Sequence, residues 1–262
     1  MPETSIQIWG LIAGYGLLII PLGILLWIQV PIVSKVIIST VRMTVQLLLV
    51  GFYLQVVFAL NHPWLNCLWV LVMIFVADVS ILRSSGLRVR KLALPLFLSL
   101  MIGVAVPLLY FIWIILQKPG LLEARFVIPI GGMILGSCLR GNIIGIRCFY
   151  HSILQGEKVF CQQLANGARL AEATRPYLRR ALDESLSPTL ATMATVGIVS
   201  LPGMMTGVIL GGSDPRTAVM YQIAIMFALF TGISITLLLG ILMSQRVGFD
   251  GFGMLKRDIF QS

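Results

Sequence analysis

Seven apolar runs divide this chain, near Ile8–Pro31, Val41–Leu60, Trp64–Leu82, Leu92–Leu116, Phe126–Ile146, Met193–Gly211 and Ala218–Met243. Each is about the 20 residues that a helix needs to cross a bilayer core. None shows the strict alternation of a barrel strand. The pattern therefore predicts an all-α, polytopic membrane bundle of seven transmembrane helices. One polar gap is long, from Arg147 to Thr192, and is read as a cytosolic arm (147–192) able to meet a soluble partner. Within it, Gly167 to Leu186 places Leu170, Ala173, Tyr177 and Ala181 on one helical stripe, with Leu178, Leu182 and Leu186 beside it. Arg169, Arg175, Arg179 and Arg180 surround that stripe. Gly167 marks a break before the helix, Pro176 is expected to bend or split it, and Ser187-Pro188 to end it. Such a basic amphipathic segment suits the inner membrane surface or a docked protein, and the two are compatible.

Composition and charge fix class and orientation. With 58% hydrophobic and 11% charged residues, the chain is not a water-soluble domain. Met1 to Gln7 carries no Lys or Arg and the first run is too long for a signal-peptide core, so it reads as a true span with the N-terminus outside. On that topology all of the 19 Lys and Arg residues except Lys118, Arg125 and Arg216 fall inside. The C-terminus is then cytosolic, with a tail over 244–262. The net charge of +9 is explained by topology and anionic lipid without nucleic acid.

The four cysteines form no disulfide framework or C-x-x-C pair. Cys148, His151 and Cys161 could share a metal or be ordinary thiols. No phosphate-binding glycine loop, Rossmann pattern or Ser-His-Asp constellation is present, and His62 and His151 belong on opposite sides of the membrane. The chain is expected not to be an enzyme, and any work it does draws on a gradient or on a separate ATPase.

Polar and helix-breaking residues inside spans are the informative ones, because each is costly against lipid. Ser200, Pro202 and Gly203 are expected near mid-bilayer in span six, as a hinge or pathway element or as a packing kink with Gly207. Met204 and Met205 follow, either as soft ligands suited to Cu(I) or as core fillers. Arg42 and Gln46 lie one turn apart on span two. Asp78, the lone carboxylate within a span, is placed at a similar depth, so an Asp78–Arg42 pair is expected as an inner gate or a structural ion pair. Gly132 and Gly136 form a G-x-x-x-G packing signal. Asp214-Pro215 opens span seven, where Gln222 needs a partner in the bundle.

Several separated segments carry a resemblance. They are Arg42-x-x-x-Gln46-Leu47-x-x-Val50-Gly51, Val127-Ile128-Pro129-Ile130-x-Gly132-Met133-Ile134-x-Gly136, Thr195 to Gly207 with its Ser200-Leu201-Pro202-Gly203-Met204-Met205 core, and Asp214-Pro215-x-x-Ala218-x-x-Tyr221-Gln222-Ile223. At these residues the chain resembles the FetB-type permeases, linked to iron export in bacteria, whose plant relatives are linked to aluminium tolerance. The resemblance implies a single ABC-transporter permease domain over 1–262 in the bacterial inner membrane. It implies no cofactor on this chain, ATP and Mg on a partner cytosolic ATPase, and a homodimer. It makes Gly167, Leu170, Tyr177, Leu178, Arg179 and Arg180 the ATPase-coupling segment. No metal-ligand set comes with the matched motifs, and Asp78 is not required by the family's pattern. The expected cargo is a metal ion such as iron, or a small metal chelate, exported. A small organic solute such as a nucleotide sugar, a gradient-driven secondary transporter and a non-transporting membrane scaffold are the rivals.

Overall fold

The structure is a computed structural model and describes residues 8–60, 62–117 and 123–260. Met1–Gln7 and Lys118, which enter the charge argument, lie outside the described residues, as do 119–122 of the loop before span five and the last two residues of the tail. Among the described residues every regular element is helical and no strand forms, only isolated bridges. Five helices are long and apolar enough to cross a membrane. Contacts divide the chain into two units, residues 1–60 and 61–262.

The first unit holds α1 (Ile8–Gly16), α2 (Ile19–Trp27) and α3 (Val33–Leu60). The first apolar run is thus two nine-residue helices rather than one rod. Span two starts earlier than its apolar pattern, because α3 takes in Val33 to Thr40 as well. The Tyr15 and Thr44 hydroxyls, 2.6 Å apart, tie α1 to α3.

The second unit contains α4 (Pro63–Ser84), α5 (Val89–Tyr110, continued in π geometry to Ile115), α6 (Ala124–Gln155), α7 (Glu157–Ala165), α8 (Leu170–Thr195), α9 (Gly203–Leu210) and α10 (Pro215–Gly248). Its packing is set by glycines. A Cβ on Gly141 of α6 would stand 2.6 Å from Ile233 of α10, and one on Gly145 2.5 Å from Leu237. Real side chains never approach so closely, so the Ile233 and Leu237 side chains rest directly on the α6 backbone there. Polar side chains pair within the same seam. Asn142 donates to Thr236 Oγ1 at 2.7 Å, and Tyr150 to Ser244 Oγ at 2.7 Å. Both bonds keep buried polar atoms satisfied away from water.

The polar stretch 147–192 departs from its expected form. Residues 147–155 extend α6, and α8 is one unbroken helix through Pro176 and Pro188 to Thr195. Both prolines stand on the exposed side, where the carbonyls they free reach out of the bundle. That opposite face is small: Ala173, Thr174, Ala181 and Ser185 are buried against α6 and α10. Ser185 donates to the Gly141 carbonyl at 2.9 Å, and Gln245 of α10 to Thr174 Oγ1 at 3.4 Å. These two bonds fix α8 antiparallel to α10, with Ser185 at the height of Ile233 and Thr174 at that of Gln245.

Candidate functional site

The sixth apolar run is not a continuous helix. Thr195 ends α8, and Val196 to Pro202 form a non-helical interruption. Gly197 sits at φ +88°, which a side chain tolerates poorly, and its N–H donates to the Ser200 carbonyl at 2.9 Å. Pro202 is extended and caps α9, its carbonyl accepting from the Thr206 amide at 3.0 Å and hydroxyl at 3.1 Å. Ser200, Pro202 and Gly203 therefore delimit a real break, wider than the sequence suggested, with Gly203 the first residue of α9. The break stands toward the Pro215 end of α10. Its neighbours on α10 are Val219 to Phe227, and Gln222 is only about 10 Å along that helix from Pro215 at 1.5 Å per residue.

Between the interruption and α10 lies a cavity of about 340 Å³, lined among others by Met193, Val196, Met205, Gln222 and Met226. Gln222 is buried, and its Oε1 has no hydrogen-bond partner among the described residues. Met205 and Gln222 thus meet as sequence reasoning grouped them. Met204 packs against the apolar core instead. Met193 and Met226 were not singled out, because only the antiparallel packing of α8 on α10 brings them to Met205.

At the other end of α8, Gly167 (φ +89°) closes α7 with a Schellman motif: its amide bonds Leu164 O at 2.9 Å and the Ala168 amide bonds Gln163 O at 3.1 Å. Glu172 then accepts from the Arg169 amide at 2.8 Å to start α8. Leu170, Tyr177 and Leu178 turn inward, Tyr177 with its ring 6.0 Å from Phe160. Arg179 and Arg180 are exposed. Arg179 joins Glu172, Arg175, Pro176, Leu178 and Leu182 along a groove of about 760 Å³. The coupling segment predicted from sequence is therefore a formed elbow with an apolar inner and a charged outer side.

The tail, which sequence reasoning left without a role, clamps this elbow. Phe249 packs its ring 5.9 Å from Phe160, and Ile259 is fully buried. The Ile259 carbonyl accepts from the Arg88 amide at 2.7 Å. Arg257 pairs with Glu157 of α7 at 3.0 Å, and Asp258 pairs with Lys91. The Lys91 hydrogen bond holds the Asp258 carboxyl below its ordinary value of 3.8. A carboxylate depressed in the fold stabilises it fully above its unfolded pKa, and that contribution is lost as pH falls through the lowered value. The clamp is thus complete at neutral pH. Asp258→Asn is expected to loosen it without unfolding the bundle, raising hydrogen exchange at Ile259 and Phe260 about fivefold while α6 and α10 stay protected. Unchanged exchange would show that the apolar contacts alone hold the tail.

A family model described as "Uncharacterised protein family (UPF0014)" matches residues 8–249. The chain belongs to the UPF0014 family. It is 35% identical over 212 residues to UPF0014 membrane protein slr1647 of Synechocystis sp., covering 81% of this chain and 82% of that one. It is 30% identical to the probable iron export permease protein FetB of Escherichia coli, over 79% of each chain. To protein ALUMINUM SENSITIVE 3 of Arabidopsis thaliana it is 32% identical, over 74% of this chain and 69% of that one. No solved structure matches. The chain is a membrane protein of a family with permease-named members.

In this UPF0014 chain the remaining predicted residues do not all converge. Asp78 is fully buried on α4, and neither carboxylate oxygen has a hydrogen-bond partner among the described residues. Arg42 and Gln46 lie on α3 of the N-terminal unit, so the Asp78–Arg42 pair remains an expectation joining residues of two units. Gly132 meets Met73 of α4 at 3.2 Å, but Gly136, Gly203 and Gly207 have no neighbour within 4 Å that a side chain would strike. The close-packing motif is Gly141-x-x-x-Gly145 instead. Cys148, His151 and Cys161 part company: Cys148 faces Ser152, His151 faces the Phe260 ring, and Cys161 faces the Met254 sulfur. Among the described residues no group of three His, Cys, Asp or Glu is placed to hold a metal.

Proposed function

We propose that this chain is the membrane-spanning permease subunit of an ABC transporter, working with a separate cytosolic ATPase and exporting a metal ion or small metal chelate across a bacterial inner membrane. The cargo follows from the likeness to the probable iron export permease protein FetB. The observation that carries the coupling is α8: one continuous helix joins the charged elbow at Gly167 to the interruption at Val196, so a push at one end is delivered at the other. ATP and Mg bind the partner, and two copies of this chain form the transport unit.

Seven crossings fit this reading with one change of register. Five are the long apolar helices. The others are α1 with α2, and α8 with α9, so the sixth crossing begins inside the polar stretch and not at Met193. An odd number puts the two termini on opposite sides, and the positive charge of the elbow, tail and 83–91 turn assigns those to the cytosol and the N-terminus to the outside.

The test is reconstitution with the candidate ATPase in liposomes, scoring ATP-driven flux over a panel of metal ions, chelates and nucleotide sugars. Reversing Arg179 and Arg180 together to glutamate is expected to weaken ATPase association about tenfold. Full association and flux in that variant would move the dock elsewhere. Flux of an organic solute with none of any metal would replace the cargo.

A further inference from the structure

Three of the chain's 12 methionines meet at the cavity beside the interruption. Met193 comes from the last turn of α8, Met205 from the first turn of α9 and Met226 from α10. Each helix that walls the cavity thus supplies one thioether. Met193 and Met205 are half-buried, and Met226 is buried. Gln222 stands one turn from Met226 on the same face of α10. It is more than nine-tenths buried, and its Oε1 has no partner among the described residues. Filling a core is the ordinary work of methionine, but here the space between the helices stays open at about 340 Å³. A methionine side chain turns about three bonds, so sulfurs on the walls of so small a space can close on a common centre.

The donor set is neutral and soft. Thioether sulfur suits Cu(I), whereas hard cations take carboxylate, carbonyl and water oxygens. Charge points the same way. Among the described residues no carboxylate lines the cavity, so a divalent or trivalent ion would enter an apolar space uncompensated, at a cost that rises with the square of its charge. We infer that Met193, Met205 and Met226 form a thioether site for a soft monovalent cation, Cu(I), with the Gln222 side-chain oxygen as a further donor. Binding of the ion stands by itself; its being cargo rests on the transporter reading, which it narrows from metal ions at large to soft monovalent ones. The placement also suits release. α8 ends two residues beyond Met193, and α9 begins two residues before Met205, so a shift of either helix would spread or gather the sulfurs.

Cu(I) binding to the full chain in detergent tests this. Cys67, Cys148 and Cys161 are changed to serine and the buried Cys138 to alanine, so that no thiol competes. Under ascorbate, a chromophoric Cu(I) chelator competes with the protein, and copper X-ray absorption reports the atoms around the bound ion. The expected result is one Cu(I) per chain with sulfur neighbours. Met193→Leu, Met205→Leu and Met226→Leu, each close to volume-conserving, are expected to weaken it at least about tenfold, since even partners outside a ligand shell ordinarily cost that much. Met220→Leu, on the exposed side of α10, should leave it unchanged. Gel-filtration profiles matching the parent confirm folding of each variant. Folded protein that binds no Cu(I), or binds it equally in all three variants, overturns the site. Fe(II) held as tightly as Cu(I) overturns its softness. The titration contains no ATPase and scores no flux, so failure of the transporter reading leaves its result untouched.

Discussion

Gly145→Val is expected to prevent this bundle from assembling. A single Cβ at that position would already lie 2.5 Å and 2.6 Å from the two terminal carbons of Leu237, which is fully buried. Replacing glycine by valine within a helix gains only about 0.5 kcal/mol of propensity. Overpacking a filled core costs about 1–3 kcal/mol, and valine adds two methyl groups to a gap that cannot take one. The clash wins. It also pushes α6 away from α10 beside the Asn142–Thr236 bond; the amide keeps its bond to the Cys138 carbonyl, but one buried N–H is left unpaired, at about 1–3 kcal/mol more. A loss of about 3 kcal/mol or more is a large share of the ~5–15 kcal/mol that holds a typical fold. The measurement is the fraction of detergent-extracted protein that elutes as a single species, with its apparent Tm. Gly136→Ala is the matched control: it lies in the other G-x-x-x-G of the same helix, but no atom stands within 4 Å of its Cβ position. It should be neutral or slightly stabilising. Equal damage at both positions would mean that a partner chain covers Gly136.

That contrast also shows how far the sequence could be read. The two G-x-x-x-G motifs of α6 are alike as strings, and only the facing residues tell them apart: Ile233 and Leu237 at one, and at the other the Met73 methyl beside Gly132 with open space at Gly136. The long apolar helices were legible because hydropathy averaged along the chain needs no partner. α8 was not, because averaging mixes its charged face with a buried face of Ala173, Thr174, Ala181 and Ser185, too small to register as apolar. The break at Pro202 and Gly203 was legible from local chemistry, as was the Gly167 turn. The extent of the break was not, since it depends on Gly197 taking a left-handed conformation six residues before α9 begins at Gly203. The tail escaped for another reason. Its hold on the elbow is made of pairs far apart in sequence, Lys91 with Asp258 and Glu157 with Arg257, which no local pattern announces.

Softening α8 between its two ends is expected to separate ATP hydrolysis from transport. Leu190 and Ala191 are exposed, so Leu190→Gly with Ala191→Gly removes little packing. Each glycine costs about 1 kcal/mol of helix propensity, beside Pro188, which already lacks one backbone hydrogen bond. The elbow keeps its Schellman turn, its Glu172 cap and its tail clamp, so ATPase association should be unchanged. The buried contacts of Ala181 and Ser185 lie before the softened stretch and hold α8 on α6. What is lost is the stiff connection from Ser185 to the interruption at Val196. A push from the elbow would then be spent in bending at 190–191 instead of moving the Gln222 cavity wall. Coupling between distant sites is ordinarily worth ~1–3 kcal/mol, so flux per ATP hydrolysed should fall about 30-fold. The Arg179/Arg180 reversal should give the opposite signature, with association lost first. If the double glycine variant transports at the parent's rate and stoichiometry, α8 is not the lever, and the drive must enter through the tail and α10, which the clamp at Ile259 and the Gln245–Thr174 bond already join to the elbow.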